Sequence, residues 1–214
     1  MTILYLDTSS SYLYTAIIQN EKLLTSITKK MEKDLSKMTL PCIADMFKEI
    51  HMKPSDIDKI LVVNGPGSFT GVRIGVTIAK IFAWALSKKI SVISSLEAMA
   101  ASIDNFDYVV PMIDARRGYV FAGIYDQNGK AVMNNQYIQK STLEIAMDQL
   151  PGKICVVNND NLSCQSFPSF SFKPNYLKII SRFQNNEELN PHLVYPEYLK
   201  RTEAEENHIK NNKD

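Results

Sequence analysis

Residues 59–75, Lys-Ile-Leu-Val-Val-Asn-Gly-Pro-Gly-Ser-Phe-Thr-Gly-Val-Arg-Ile-Gly, constrain this 214-residue chain more than any other stretch. The apolar run at 59–64 is continuous rather than alternating, the pattern of a strand buried on both faces. Such a strand needs packed layers on either side of its sheet. A glycine turn follows, then an apolar helical run from Phe69 to Leu86. Strand, glycine turn and helix is a layout that often holds a phosphate. Gly65 and Gly67 accept backbone angles closed to other residues, and Pro66 stiffens the turn. Ser68 or Thr70 can cap the helix and leave first-turn N–H groups facing the loop's concavity. Gly71 and Gly75 lie one turn apart and clear a line along the helix for another backbone. The loop is not a Walker motif, because no Gly-Lys-Ser/Thr ends it. It is not the dinucleotide fingerprint either, because Gly65, Gly67 and Gly71 are spaced GxGxxxG. A phosphate cradle and a plain strand-to-helix turn are both open readings.

The flanking sequence extends the α/β pattern. Residues 2–6, 12–19 and 22–29 are β-forming runs, the last two split by Asn20-Glu21 as in a hairpin. They predict a three-stranded meander whose first turn holds Asp7, Thr8 and Ser9. That turn can present a magnesium-bound phosphate, or it can be an Asx or ST turn that closes the hairpin. Residues 34–50 place Leu35, Met38, Cys42, Met46 and Ile50 near one helical face, with Pro41 expected to kink the helix or start a second segment. After the helix at 69–86 come a strand at 90–95 and a short helix opened by a capping box, Ser94 to Glu97. A second half begins near 104, with strands at 107–114 and 119–126. It continues with a helix opened by a second capping box, Ser141 to Glu144, a strand at 154–158 and a helix at 176–183. Meander, helix, strand and helix recur in shortened form, predicting an α/β protein with two related lobes. The expected divisions are 1–103, 104–198 and a charged tail at 199–214.

Composition narrows the function classes. With a net charge of +1, no overall field draws the chain to nucleic acid or membrane. No apolar run reaches the roughly 18–20 residues of a membrane span, and the start lacks a secretion signal, so a cytoplasmic protein is expected. Cys42, Cys155 and Cys164 are far apart and form no CxxC, as expected of free thiols in a reducing compartment. His51, His192 and His208 have no metal-ligand spacing, so no metal site, cofactor or catalytic pair is expected.

The stretch Gly-Pro-Gly-Ser-Phe-Thr-Gly-Val-Arg-Ile-Gly at 65–75 occurs together with Leu-Asp-Thr-Ser-Ser at 6–10. Ser-Ser-Leu-Glu-Ala-Met-Ala follows at 94–100 and Asp-Ala-Arg-Arg-Gly at 114–118. This set resembles the TsaB (YeaZ) family, paralogues of the TsaD/Gcp proteins. The likeness is good over about 1–125 and returns weakly at 194–201. It implies a two-lobed actin-like ATPase fold of the ribonuclease H-like class, with mixed sheets flanked by helices and a reduced second lobe. It also implies a non-catalytic subunit in forming N6-threonylcarbamoyladenosine next to the tRNA anticodon. The implied partners are a TsaD-like transferase and a TsaE-like ATPase, with a homodimer when TsaD is absent and tRNA met only through the complex. Two places depart from the family pattern: Leu35 lies near where relatives often carry a histidine, and Tyr119 stands where they often carry an acid.

An active ATPase of that superfamily needs a glycine turn in the second lobe to seat adenosine. The corresponding stretch is Asn158-Asn159-Asp160-Asn161-Leu162, without glycine. Asp7, Thr8, Ser9, Gly65, Gly67, Ser68, Thr70 and Gly71 therefore form an inherited but degenerate phosphate-loop set. The helices at 34–50 and 69–86 carry more apolar surface than one sheet face needs. Met38, Cys42, Met46, Arg73, Thr77, Lys80, Ile81 and Trp84 are the expected partner surface. A free-standing ATPase or small-molecule kinase is the alternative function. A peptidase is a further one, against which the ligand-poor sequence speaks.

Overall fold

The computed structural model describes residues 1–31, 34–160, 162–164 and 166–200. Most of the expected tail, with His208, lies outside the described residues, as does Asn161. Five strands form the first sheet: β1 (Thr2–Asp7), β2 (Tyr12–Gln19), β3 (Lys22–Lys30), β4 (Lys59–Val63) and β5 (Lys89–Ile93), in the order β3-β2-β1-β4-β5. β1 pairs antiparallel with β2 and parallel with β4, and β4 pairs parallel with β5. The second sheet comprises β6 (Tyr108–Asp114), β7 (Tyr119–Asp126), β8 (Ala131–Gln139), β9 (Ile154–Asn158) and β10 (Ser169–Ser171). Its order, β8-β7-β6-β9-β10, repeats the first in connection and sense. The fold is thus the two-lobed, actin-like α/β arrangement. Central strands β1, β4 and β9 are buried along their whole length, as sheets covered on both faces require.

The helices explain the asymmetry between the lobes. In the first, α1 (Leu35–Glu49) and α2 (Phe69–Ala85) make the crossovers into β4 and β5. Their core holds Leu4, Ile43, Met46, Ile60, Val72 and Ala79. In the second, α4 (Lys140–Asp148) makes the crossover into β9, but the described residues between β9 and β10 carry no helix. Among the described residues, α2 and its glycine loop have no counterpart there. Between the sheets, α3 (Ser95–Ala100) and α5 (Tyr176–Phe183) sit in a shared core with Tyr5, Tyr14, Val109 and Tyr125.

Two local expectations are corrected, and one strand appears that the sequence pattern does not announce. Pro41 does not start a second segment; it lies inside one 15-residue helix, exposed on its outer side. The Ser141–Glu144 box does not form: α4 starts earlier, at Lys140, whose N–H donates to the Gly118 carbonyl at 2.9 Å, with Gln139 as an uncapped N-cap. The strand β8 was not expected; its Asn134-Asn135-Gln136 centre hides the alternation.

After α5 the chain returns to the first lobe. The Lys59 ammonium, buried in β4, donates to the carbonyls of Gln184 (2.7 Å) and Asn186 (3.1 Å). Leu189 bridges the open edge of β5 at Ile90, and residues 191–198 then run beside α2. This strap closes an edge that would otherwise offer unpaired backbone groups.

At α3 the expected cap does form: Ser94 Oγ accepts from Leu96 N at 3.1 Å, and the Glu97 carboxylate accepts from Ser94 N at 2.7 Å. Ser94→Ala is therefore expected to cost about 1 kcal/mol, a drop of about 2–4 °C in melting temperature for a chain of this size. Ser141→Ala is expected to leave the melt within about 1 °C, because its hydroxyl caps nothing. Differential scanning calorimetry of the two variants distinguishes a cap that is made from one that is only spelled.

Candidate functional site

The β1–β2 turn and the start of α2 cross at backbone distance. Ser68 N donates to the Ser9 carbonyl at 2.7 Å, and Thr8 Oγ1 donates to the Gly71 carbonyl at 2.7 Å. A Cβ on Gly67 would overlap the Ser9 carbonyl, one on Gly71 the Thr8 carbonyl, and one on Gly75 the Thr8 hydroxyl. These three glycines are occupied by the crossing. Gly65 (φ +124°) instead faces the backbone of Glu197 in the strap. Ser68 is the N-cap of α2 and accepts from Gly71 N at 3.3 Å. On the far side of the loop, Ser95 N donates to the Gly65 carbonyl (2.8 Å) and Ser95 Oγ to the Pro66 carbonyl (2.5 Å).

This crossing floors a cleft of about 490 Å³ between the lobes. Asp7, Ser9, Gly67, Ser68 and Thr70 line it from the first lobe, and Asp114, Arg116, Asn159 and Asp160 from the second. Thr8 and Gly71 lie behind its wall, and Gly65 lies away from it. Asp7 is 2% exposed and accepts from Ser9 N at 2.8 Å. Burial raises its pKa, while the hydrogen bonds from Ser9 oppose the rise. Burial also raises Asp160, which accepts from Asp114 N at 2.8 Å; that bond lowers it, and the negative charge of Asp114 adds to the rise. The lining thus holds three carboxylates against one guanidinium, Arg116. Across the cleft, Asn159 Nδ2 donates to the Tyr14 hydroxyl at 2.9 Å and ties the lobes together. Asn159 and Asp160 line the cleft from the second lobe with side chains, in a stretch without glycine. Among the described residues no three His, Cys, Asp or Glu side chains are grouped to hold a metal.

The expected partner residues divide into two sets. Cys42 (7% exposed) and Met46 (1%) point into the first-lobe core, and Met38 packs against its edge. The periodicity that picked them marks the inner face of α1, so they do not belong to an outer surface. On α2, Arg73, Thr77, Ile81 (56% exposed) and Trp84 (67%) stand outward with Lys80 partly covered. Phe69 begins the same stripe at helical spacing. The strap adds exposed Leu193, Tyr195 and Tyr198 beside it, residues that sequence reasoning did not pick. The Tyr195-Pro196-Glu197-Tyr198 cluster was their only visible signal.

Residues 25–181 match the family model of TsaD, tRNA N6-adenosine threonylcarbamoyltransferase. The chain belongs to this family, that of TsaD and its TsaB (YeaZ) paralogues. It is 43% identical over 131 residues to the tRNA threonylcarbamoyladenosine biosynthesis protein TsaB of Bacillus subtilis, covering 60% of this chain and 57% of that one. To the Haemophilus influenzae TsaB it is 34% identical over 125 residues, 56% of this chain and 52% of the other. The match thus spans a little over half the length of these curated TsaB relatives. A Pseudomonas aeruginosa crystal structure, described as similar to the peptidase YeaZ, superposes with a TM-score of 0.80 over 93% of this chain and 99% of that one. At 22% identity, it speaks to the fold alone.

Two outcomes follow from the crossing and the cleft. Alanine is favoured over glycine in a helix by about 1 kcal/mol, but the Thr8 carbonyl leaves no room for it at 71. Gly71→Ala is expected to destabilise by about 1–3 kcal/mol, as overpacking does, measured by urea unfolding. A folded-state pKa raised above its unfolded value means the ionised Asp7 costs stability at neutral pH. Asp7→Asn, which keeps an acceptor for Ser9 N, is expected to raise the melting temperature at pH 7. The gain should fade as pH drops through the folded pKa and vanish near the unfolded value of about 3.9.

Proposed function

We propose that this chain is a non-catalytic subunit of the machinery that forms N6-threonylcarbamoyladenosine in tRNA. It acts by docking onto a TsaD-type transferase and holding it in working form. One observation carries the reading: the outer face of α2, with Ile81 and Trp84 mostly exposed beside Pro191 of the strap, is an apolar surface with no cover in the monomer. Single exposed apolar residues are ordinary, but a contiguous set along one helix is typical of partner sites. The names of the matched relatives place them in tRNA threonylcarbamoyladenosine biosynthesis.

The cleft supports a docking role over a reacting one. Its phosphate-side glycines are filled by the Thr8 and Ser9 backbone contacts, its adenosine side carries Asn159 and Asp160, and its lining is net acidic. A nucleotide polyphosphate brought there meets like charge from both lobes. No helix among the described residues is long and apolar enough to cross a membrane.

Three measurements test the reading. The purified chain should bind a TsaD-type paralogue from the same organism, and Trp84→Asp should abolish that binding while leaving the melt unchanged, since the side chain is solvent-facing. It should restore threonylcarbamoyladenosine formation to a reaction that contains the other components. Titration with ATP and magnesium should show no binding by the lone chain. Tight binding with turnover would favour the free-standing ATPase or kinase instead.

A further inference from the structure

We infer that the sheet face of the second lobe beside the β6–β7 turn binds an unpaired stretch of RNA, with a base stacked on Tyr119 and the neighbouring phosphates met by Arg116, Arg117 and Lys200. The inference rests on the tRNA reading above only for the choice of RNA among polyanions. Its surface lies on the other lobe from α2.

Tyr119 and Phe121 share one face of β7, because strand side chains alternate. Tyr137 of β8 is paired with Phe121 and lies on the same face. The opposite face, with Val120, Ile124 and Ile138, packs in a core with Leu143 and Met147 of α4. The Tyr119 and Tyr137 rings stack with centroids 4.6 Å apart and planes 9° apart, and both residues are only half-buried. Phe121 tilts against Tyr137 at 5.7 Å, and the Lys200 ammonium lies 5.1 Å from the Tyr137 ring centre. Tyr137 is thus flanked by Tyr119, Phe121 and Lys200. Among the described residues Tyr119 has no ring or cation against it besides Tyr137. A stacked pair with one end unoccupied is a platform for a nucleobase, as on the sheet faces of RNA-binding modules.

The turn next to this pair carries the charge. Arg116 (φ +67°) and Arg117 (φ +55°) both take left-handed backbone, where long side chains are disfavoured and Asn-Gly is the preferred hairpin pair. Both are exposed, and among the described residues neither side chain has an ion pair or hydrogen bond. A strained position that keeps an unpartnered cation points to a use for the cation. A Cβ on Gly118 would meet nothing within 4 Å, so the tip of the turn is open to a ligand. The turn is also tied to the ring pair: Ala115 N donates to the Tyr119 carbonyl at 3.0 Å, and Tyr119 N to the Arg116 carbonyl at 3.1 Å. Asp114 and Asp160 share the cleft lining with Arg116. Their charge disfavours phosphates inside the cleft and favours a strand that runs along the outer side of the turn. An acidic protein segment would answer the cations but leave the open ring face unused, whereas a nucleotide strand answers both.

Fluorescence anisotropy of the full chain with a labelled single-stranded RNA of about ten nucleotides tests this. Binding should weaken roughly twentyfold between about 50 and about 200 mM NaCl, the slope expected of phosphate contacts by Arg116, Arg117 and Lys200 to a single strand. Tyr119→Ala should weaken it at least about fivefold, the loss of one stacked base. Arg116→Asn with Arg117→Gly should weaken it by about tenfold or more. That double variant should melt no lower than wild type, because Asn-Gly suits the turn, so its loss of binding is not a loss of fold. No binding by the wild type up to about 1 mM chain, where even non-specific contacts would register, overturns the inference. So does a duplex of the same sequence bound as tightly, or a double variant that binds like wild type. Displacement of the RNA by an equal concentration of a polyglutamate peptide of similar length would make an acidic protein segment the occupant and overturn the choice of RNA. Because the lone chain is used, none of these failures touches the docking reading. A chain that binds this RNA but not the TsaD-type paralogue would sink that reading and leave this surface standing.

Discussion

Everything in the first lobe hangs on one backbone crossing, where the β1–β2 turn meets the first turns of α2. Thr8 and Ser9 supply carbonyl and hydroxyl oxygens, and Gly67, Gly71 and Gly75 supply the missing side chains that let them approach. Three bare positions on two turns of backbone fix where α2 begins and how it lies on the sheet. Because α2 is fixed there, one side of it meets the core through Val72, Val76 and Ala79 and the other is left outward with Arg73, Ile81 and Trp84. The same contact that could have been a phosphate cradle is used up in holding the helix.

The second lobe repeats the sheet but not the device. Its β9–β10 connection has no helix among the described residues, and Asn159 and Asp160 point side chains toward the cleft. Instead of a hinged pair of jaws, the lobes share a core of α3, α5 and tyrosines, and they are tied by Asn159 to Tyr14 and by the strap. A molecule so joined presents a fixed outer face better than it opens and closes on a substrate. The strap completes this by bringing Tyr195 and Tyr198 to the two cations of α2.

The sheet plan was legible because its central strands β1, β4 and β9 are buried on both faces and read as unbroken apolar runs. The glycine loop was legible because its spacing excluded the two common nucleotide motifs. What escaped detection has physical causes. β8 is an edge strand with a polar centre, so period-two alternation was too weak to see. Helical periodicity puts Cys42 and Met46 on one face but does not say which way that face points; only packing turns it inward. The strap escaped because 184–198 owes its path to distant partners, a buried lysine in β4 and the carbonyls met by Lys80, which no local pattern encodes. In the cleft, the sequence showed which residues lie in the turns but not that the glycines are spent on a crossing.

The most direct test of docking rather than reacting is hydrogen exchange of the full chain, alone and with the TsaD-type paralogue. The account predicts new protection along 69–85 and 191–198, with the cleft turns at 7–11 and 158–160 unchanged. Protection confined to those cleft turns, or protection produced there by ATP and magnesium without any partner, would contradict it.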